Sequence, residues 1–276
     1  MGLAAADQAN RIGQPSEAIR RAWPTWRAGH AELLSPDPAC PEANVLMLEK
    51  TAKTTLLLGA SRGLGLGLSR EYLARGWRVI ATAREDASRL EALADTANGR
   101  LRIERVDIAD TKSVSALRRK LAGETLDLLF LVAGVSGSVP KPLHEIPADE
   151  AARVFLVNAY HTIVAAEAFA DLVKPQGTVA FMSSRLGSIA SNDYGSWETY
   201  RISKAALNMG ARSFSHRHPD HAVLSIAPGW VRTDMGGPSA TFDVATSCRN
   251  VANAIERHAS EPGHRYVNYD GTELPW

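Results

Sequence analysis

The sequence has little of three features that would identify whole classes of protein. Two of its 276 residues are cysteines, Cys40 and Cys248, and they form neither a disulfide framework nor a Cys-x-x-Cys motif. Lysine and arginine number 31 against 30 acidic residues, so the net charge of +1 gives no electrostatic reason to expect nucleic acid or an anionic membrane as partner. The longest apolar run, Leu128 to Val135, is too short to span a bilayer. We therefore expect a protein of a reducing compartment, the cytoplasm.

The composition that remains is ordinary for a globular protein, with 45% hydrophobic and 22% charged residues. The first 46 residues differ because five prolines interrupt them and no strand pattern occurs there. Arg20 and Arg21 lack the apolar segment that an export signal requires. We expect residues 1–46 to form a poorly structured arm. A more specific hypothesis is that Met47 is the natural start of the protein and that these residues lie upstream of it. Residues 47–276 then suffice for a single domain, since one α/β domain can occupy about 200–250 residues.

Short apolar runs alternate with helical stretches from Thr54 onward, which is typical of βα units in a parallel sheet. The predicted strands are Thr54 to Gly59, Arg78 to Thr82, Leu101 to Val106, Asp127 to Val132, Thr178 to Ser183, Ala222 to Ala227 and a short one near Tyr266. The predicted helices are Leu64 to Arg75, Asp86 to Asp95, Thr111 to Leu121, Asp149 to Leu172, Thr199 to Ser215 and Asp243 to Ala259. This order predicts an α/β fold of Rossmann type, a doubly wound sheet of about seven parallel strands with helices on both faces.

A glycine-rich turn, Gly59-x-x-x-Gly63-x-Gly65, connects the first predicted strand to the first predicted helix. Gly59 allows the tight turn, Gly63 lets a pyrophosphate approach the backbone, and Gly65 lets the helix pack on the strand. The amide groups at the helix N-terminus can donate hydrogen bonds to the anion. The turn predicts a dinucleotide site, although a turn without ligand would look similar in isolation.

The end of the second strand selects the dinucleotide. An NAD site places an acidic residue there for the ribose hydroxyl groups, whereas this strand ends Ala81-Thr82-Ala83-Arg84. Arg84, together with Arg62 of the glycine turn, could bind a 2′-phosphate with two guanidinium groups. Two solvated arginines are the alternative. We predict NADP(H) as the cofactor.

Tyr200 and Lys204 are four residues apart on a predicted helix, so their side chains project from one face. A tyrosine hydroxyl is a poor acid-base catalyst at neutral pH because its ordinary pKa is about 10. A nearby ammonium group stabilises the phenolate and lowers that pKa. The pair therefore predicts acid-base chemistry at this helix.

From about Thr54 to Trp276 the chain resembles the short-chain dehydrogenase/reductase family. The resemblance rests on the glycine turn and on motifs that follow in the family's order, namely Asp107, Ala133-Gly134, Asn158, Ser184, Tyr200-x-x-x-Lys204 and Pro228-Gly229. The strings that begin at Ser183, Tyr200, Pro228 and Asp270 resemble the sniffer carbonyl-reductase and C-factor-like branch.

The resemblance implies a role for each matching residue. Tyr200 would be the general acid, Lys204 would bind the nicotinamide ribose, Ser184 would hydrogen-bond the substrate carbonyl, Asn158 would hold a water of the proton relay, and Asp107 would contact the adenine. Ser184 is chosen over Ser183 because the family serine usually stands three residues before a glycine, here Gly187. The cofactor contacts implied are Gly59, Ser61, Arg62, Gly63, Leu64, Gly65, Arg84, Asp107, Ile108, Ala133, Gly134, Tyr200, Lys204, Pro228, Gly229, Val231 and Thr233.

Two further groups of residues could have other roles, one as a metal site and one as part of a substrate pocket. His216, His218 and His221 lack the additional ligands of a tetrahedral metal site, so no metal is expected. Trp230 and Met235 follow the sixth strand, where mobile loops cover substrate in this fold. They either line an apolar pocket or pack within the loop.

These observations favour an NADPH-dependent oxidoreductase that reduces a ketone or aldehyde to an alcohol, with Tyr200 as general acid. A non-catalytic NADP(H)-binding signalling protein and a secondary-alcohol dehydrogenase that works in the oxidative direction remain as alternatives. The expected partner is a small carbonyl or alcohol substrate, with neither nucleic acid nor membrane. A homodimer or homotetramer is expected from the family, which often pairs through helices that here include Ala159 to Leu172 and Tyr200 to Ser215.

Overall fold

The structure is a computed structural model that describes residues 52–138, 140–259 and 261–276. The segment 1–46 and the proposed start at Met47 lie outside the described residues. None of the helices within those three ranges is long and apolar enough to cross a membrane.

Seven strands alternate with helices along the described chain. The strands are β1 (Thr54–Leu58), β2 (Arg78–Ala83), β3 (Leu101–Arg105), β4 (Leu126–Leu131), β5 (Val173–Met182), β6 (Ala222–Ala227) and β7 (Gly263–Asn268). The α-helices are α1 (Gly63–Ala74), α2 (Ser88–Ala94), α3 (Thr111–Lys120), α4 (Ala148–Phe155), α5 (His161–Phe169), α6 (Glu198–Arg217) and α7 (Val244–His258). Short 3-10 turns occupy Leu143–Glu145, Ala170–Leu172 and Arg185–Gly187.

All seven strands form one parallel sheet in the order β3-β2-β1-β4-β5-β6-β7. The predicted fold class is confirmed. The chain order of the strands reverses between β1 and β4, and ligands of such sheets bind in the crevice outside the carboxyl ends of the strands at this point. We therefore expect the functional residues among those that directly follow the strands.

The sheet is covered on both faces because successive strand side chains point to opposite sides. Leu57 of β1 packs in the cluster that contains Leu68 and Tyr72 of α1, whereas its neighbour Leu56 packs with Leu207 and other residues of α6. The first helix thus packs on the sheet through Leu68 and Tyr72. The helix ends at Ala74, and Gly76 just beyond it has a φ of +84°, the left-handed conformation that commonly follows a helix.

Two predicted elements differ from the structure. The long helix predicted over Asp149 to Leu172 is divided, because a π-helical segment (Leu156–Tyr160) separates α4 from α5 and a 3-10 turn follows. β5 begins at Val173 rather than Thr178, since Val173 pairs with Leu126 and the register then shifts so that Thr178 pairs with Leu128. The π segment contains Asn158, one of the predicted site residues.

Candidate active site

The predicted site residues lie along the carboxyl edge of the sheet, each shortly after a strand or on a helix that faces it. Gly59 follows β1, Ala133 and Gly134 follow β4, Ser184 follows β5, and Pro228 and Gly229 follow β6. Parallel strands bring their carboxyl ends to one edge, so the topology gathers these segments around the β1–β4 crevice.

The glycine turn leaves no room for side chains at two of its three glycines. A Cβ on Gly59, whose φ is +95°, would lie 2.7 Å from the backbone nitrogen of Ala133, and a Cβ on Gly65 would lie 2.1 Å from the carbonyl oxygen of Gly59. Gly63 has a φ of +53° and more open surroundings, since a Cβ there would first meet the Thr233 side chain at 3.6 Å. These distances agree with a turn that packs helix against strand and exposes its backbone to an anion.

Thr82 stabilises this turn, and it was not selected from the sequence. Its hydroxyl oxygen accepts a hydrogen bond of 3.0 Å from the Gly59 amide, and its carbonyl accepts one of 2.7 Å from the Ala60 amide. Strand propensity alone explains a threonine in β2, so no signal in a single sequence distinguishes it.

The two arginines expected at the 2′-phosphate are exposed and have acidic neighbours. Arg62 Nη1 lies 3.4 Å from Asp234 Oδ2, and Arg84 Nε lies 3.3 Å from Glu85 Oε1. Their side chains are 73% and 66% exposed, so an anion from solvent can reach both. Glu85 places a carboxylate just beyond the end of β2. It directly follows Arg84 and is paired with it.

The remaining cofactor contacts implied by the resemblance lie on loops of the same edge. Asp107 Oδ1 accepts a hydrogen bond of 2.9 Å from the Ala109 amide, which fixes the turn after β3, and Ile108 is half-buried against the core. Ser61 and Leu64 are half-buried in the glycine turn.

The loop after β6 is folded on itself. A Cβ on Gly229 would lie 2.9 Å from the Phe242 ring, and Val231 is buried. The Thr233 hydroxyl accepts a hydrogen bond of 3.1 Å from the Gly236 amide. Trp230 donates its indole N–H to the Gly236 carbonyl at 2.8 Å while its side chain stays largely exposed. This indole contact favours packing within the loop over contact with substrate.

Asn158 is fully buried and fixes the loop after β4. Its Oδ1 accepts a hydrogen bond of 2.8 Å from the Val135 amide, and its Nδ2 donates to the Val135 carbonyl at 2.8 Å and to Ser203 Oγ at 3.0 Å. A Cβ on Gly134 would lie 3.2 Å from Asn158 Oδ1 and 3.4 Å from Lys204 Nζ. The structure thus brings Asn158 and Lys204 to the same glycine.

The two serines at the end of β5 have different surroundings. Ser183 is buried and donates a hydrogen bond from its hydroxyl to Asn208 Oδ1 at 2.7 Å. Ser184 is half-buried, and its side chain is near enough to the Tyr200 hydroxyl to lower the pKa of that tyrosine. Ser184 Oγ also accepts from the Leu186 amide at 3.2 Å. Strand alternation separates the two hydroxyls, and the one beside Tyr200 is that of Ser184.

Tyr200 and Lys204 project from the same face of α6. Lys204 Nζ donates to the Met182 carbonyl at 2.8 Å and lies 5.6 Å from the centre of the Tyr200 ring. Burial lowers the pKa of Lys204 to about 8. Burial also raises the pKa of Tyr200 to about 12, against a smaller lowering by the neighbouring Ser184 side chain. The lowered tyrosine pKa expected from the sequence is therefore not a property of the chain by itself, because desolvation outweighs the lowering by Ser184.

The histidine cluster makes protein contacts. His218 Nε2 lies 2.8 Å from Glu167 Oε2, and the His218 ring stacks on that of His221 at 6.0 Å. In the ranges that the structure describes, no group of three or more His, Cys, Asp or Glu side chains is arranged to hold a metal ion.

Three comparisons bear on this site. The family model described as short chain dehydrogenase matches residues 53–243. The C-signal protein of Myxococcus xanthus is 39% identical over 156 residues, which cover 55% of this chain and 93% of that protein. Among solved structures, a short-chain dehydrogenase/reductase of Burkholderia multivorans with bound NADP is 40% identical, with a TM-score of 0.79 over 82% of this chain and 100% of the other. The carbonyl reductase Sniffer of D. melanogaster is 30% identical, with a TM-score of 0.72 over the same shares.

Proposed function

The chain belongs to the short-chain dehydrogenase family of oxidoreductases, and we propose that it is an NADPH-dependent carbonyl reductase acting on a ketone or aldehyde. One observation carries the proposal. The Tyr200 hydroxyl has the Ser184 side chain beside it, and Lys204 Nζ is buried one helical turn away, at the edge of the sheet where ligands of this fold bind. Similarity to Sniffer, a carbonyl reductase, supports the same reaction class.

The residues present fit NADP(H). The turn at Gly59 and Gly65 has no space for a Cβ and presents backbone to the crevice, and the exposed guanidinium groups of Arg62 and Arg84 suit a 2′-phosphate. The similar Burkholderia structure holds NADP. We assign Lys204 to the nicotinamide ribose and Thr233 to the nicotinamide amide. When bound, the cofactor supplies the hydride that reduces the carbonyl carbon.

The protein's own part is to stabilise charge and deliver a proton. The hydroxyls of Ser184 and Tyr200 donate hydrogen bonds to the substrate carbonyl oxygen, and these bonds strengthen as negative charge develops on that oxygen. Tyr200 then transfers its proton to the same oxygen. Because burial raises the pKa of Tyr200 to about 12, the side chain is protonated at neutral pH, which is the form that reduction requires. Asn158 keeps the loop after β4 in place beside Lys204.

The test is consumption of NADPH against a panel of ketones and aldehydes. We expect turnover of at least one class of carbonyl, with kcat/KM for NADPH at least about tenfold above that for NADH, since charge-assisted bonds to a phosphate are among the strong ones. A preference for NADH would overturn the cofactor assignment. Oxidation of secondary alcohols with NADP⁺, without detectable reduction of any carbonyl, would favour the alternative, a secondary-alcohol dehydrogenase with the same site residues.

A second candidate function follows from the similarity to C-signal. On this alternative the chain binds NADP(H) for signalling without catalysis. The complete set of Asn158, Ser184, Tyr200 and Lys204 argues against it, because a binding protein does not need a proton donor beside a buried lysine. Tight NADPH binding without turnover of any carbonyl would favour it.

We also propose that two copies pair through α4, α5 and α6. These helices border a groove of about 440 Å³ whose lining includes Leu156, Tyr160 and Gly210. Tyr160 and Met209, which precedes Gly210 on α6, are both more than half exposed. Large apolar side chains exposed next to such a groove are typical of a surface that binds a partner. A dimer in light scattering that Met209→Glu converts to a monomer would support this pairing, and a wild-type monomer would contradict it.

A further inference from the structure

The loop that carries Ser184 is held from three directions. We call residues 183–190 the serine loop. Two of its contacts are with α6. The Asn208 side chain accepts a hydrogen bond from the Ser183 hydroxyl. The Gly187 backbone lies so close to α6 that a Cβ on Gly187 would be 3.0 Å from the Cβ of Lys204. The other two attachments come from β7 and from the segment after it, and the mechanism proposed above uses neither.

The attachment from β7 is the hydroxyl of Tyr266. This side chain is 1% exposed, and its hydroxyl donates a hydrogen bond to the backbone carbonyl of Ser184. The same carbonyl accepts the Gly187 amide at 2.8 Å, so it joins the tyrosine to the turn that follows the serine. Because the bond is made to the main chain of Ser184 itself, it limits where the Ser184 Oγ can lie.

The segment after β7 adds the third attachment. The carbonyl of Pro275 accepts the Ser188 hydroxyl at 2.7 Å, and that of Trp276 accepts the Ala190 amide at 2.9 Å. The Trp276 ring stacks on Tyr266, with 5.4 Å between ring centres and an interplanar angle of 27°. Trp276 thus contacts both the serine loop and Tyr266, the side chain that is hydrogen-bonded to Ser184 in that loop.

We propose that Tyr266 is a positioning residue that holds Ser184 in line with Tyr200, with Trp276 packed behind it. The inference rests on the proposed function, since it concerns the serine of that site. The hydroxyl of Tyr266 is bound to a carbonyl and does not reach the reacting atoms as a donor. It acts through Ser184, and a displacement of about 1 Å at a reacting group can reduce a rate by as much as 10²-fold.

The test compares Tyr266→Phe with Tyr72→Phe. Tyr72 is also fully buried, and its hydroxyl has no hydrogen-bond partner among the described residues, so its replacement removes the same atom without breaking a contact. We expect Tyr266→Phe to lower kcat about tenfold with little change in the Kd of NADPH, and Tyr72→Phe to leave both unchanged. In a Ser184→Ala background, Tyr266→Phe should cause no further loss of kcat, because the two residues act as a unit.

A second measurement does not depend on turnover. Hydrogen exchange at the amides of residues 186–190 should be faster in Tyr266→Phe than in Tyr72→Phe, with exchange in the sheet unchanged. Unchanged exchange in the serine loop of Tyr266→Phe would overturn the proposal. Faster exchange with an unaltered kcat would also overturn it. So would a loss of kcat from Tyr266→Phe that is as large in the Ser184→Ala background as in the wild type. If Ser184→Ala itself retained full kcat, the assignment of the serine in the proposed function would fail, whereas the exchange result would still decide whether Tyr266 holds the loop.

Discussion

The two sides of the crevice are built in different ways. On the β1–β3 side, the proposed cofactor site consists of backbone at the glycine turn and of two arginines that are mostly exposed. On the β5–β7 side, the groups proposed for catalysis are held by buried side chains such as Asn208 and Tyr266. The difference indicates that substitutions of the two exposed arginines alter affinity for the cofactor with little effect on the fold, whereas on the second side position and stability are linked.

The largest effect is expected for Tyr200→Phe on the buried side. Loss of the proton donor should lower kcat about 10³-fold, within the usual range for general acid catalysis, and change the Kd of NADPH far less. Tyr194→Phe is the matched control, since Tyr194 is 67% exposed and its ring keeps the contact with Arg201. Steady-state kinetics of both variants measures the difference. A Tyr200→Phe enzyme with near-wild-type kcat would refute the proposed mechanism.

Substitution of the two adjacent serines after β5 should have different effects, one on catalysis and the other on stability. Ser184→Ala should lower kcat about 10²-fold with little change in the free energy of unfolding, as expected for a group that stabilises a developing oxyanion. Ser183→Ala should lower that free energy by about 1–3 kcal/mol, because it leaves the buried Asn208 acceptor unpaired. Kinetics and urea unfolding of both variants test the pair. Equal losses of kcat would show that the strand end does not separate the two hydroxyls.

The pH dependence should reflect Lys204. Its pKa is lowered by burial to about 8, so the fraction of charged lysine falls as pH rises through that value. We expect kcat/KM for reduction to decrease about tenfold between pH 7 and pH 9 if the ammonium is required. Tyr200 remains protonated over this interval because its pKa lies near 12. A profile that stays level to pH 9 would exclude a role for the lysine charge.

On the exposed side, Arg84→Ala should raise the Kd of NADPH about tenfold and leave that of NADH unchanged, since only NADPH carries the 2′-phosphate. Its melting temperature should match that of the wild type because the side chain is 66% exposed. Arg70→Ala, on the exposed surface of α1, serves as the control. Titration by cofactor fluorescence gives both constants. Equal weakening of NADPH and NADH would place Arg84 away from the phosphate.

The smallest effect is expected for Asp234→Asn. The ion pair between Arg62 and Asp234 is exposed, and such pairs contribute about 0–1 kcal/mol. Its removal frees Arg62 and should lower the Kd of NADPH about twofold. The gain should disappear in an Arg62→Ala background. A weaker affinity for NADPH in Asp234→Asn would instead mean that Asp234 supports the site.

The sequence was most informative where one residue determines a local geometry. The glycine turn and the Tyr200–Lys204 spacing predicted groups that the structure brings to one edge, because backbone space and helical periodicity are local properties. The comparisons confirm the family that these motifs indicated. The choice of Ser184 over Ser183 came from the family motif, and its catalytic role stays a prediction until the variants are measured.

Features that depend on distant contacts were missed or wrong. The break in the helix predicted over Asp149 to Leu172 leaves no composition signal, since the π segment Leu156–Tyr160 contains ordinary helix-compatible residues. The direction of the Tyr200 pKa depends on how much water the fold excludes, which spacing does not report. Tyr266 lies 82 residues from Ser184 along the chain, so only the folded sheet shows that they are bonded.

Transfer of deuterium from NADPH that carries deuterium at both positions of nicotinamide C4 tests the proposed reaction most directly. With a carbonyl substrate that the wild type consumes, we expect an alcohol that carries one deuterium on the former carbonyl carbon, formed at a rate that Tyr200→Phe reduces about 10³-fold. An alcohol without deuterium, or tight NADPH binding with no product from any carbonyl of the panel, would contradict the assignment of the chain as a carbonyl reductase.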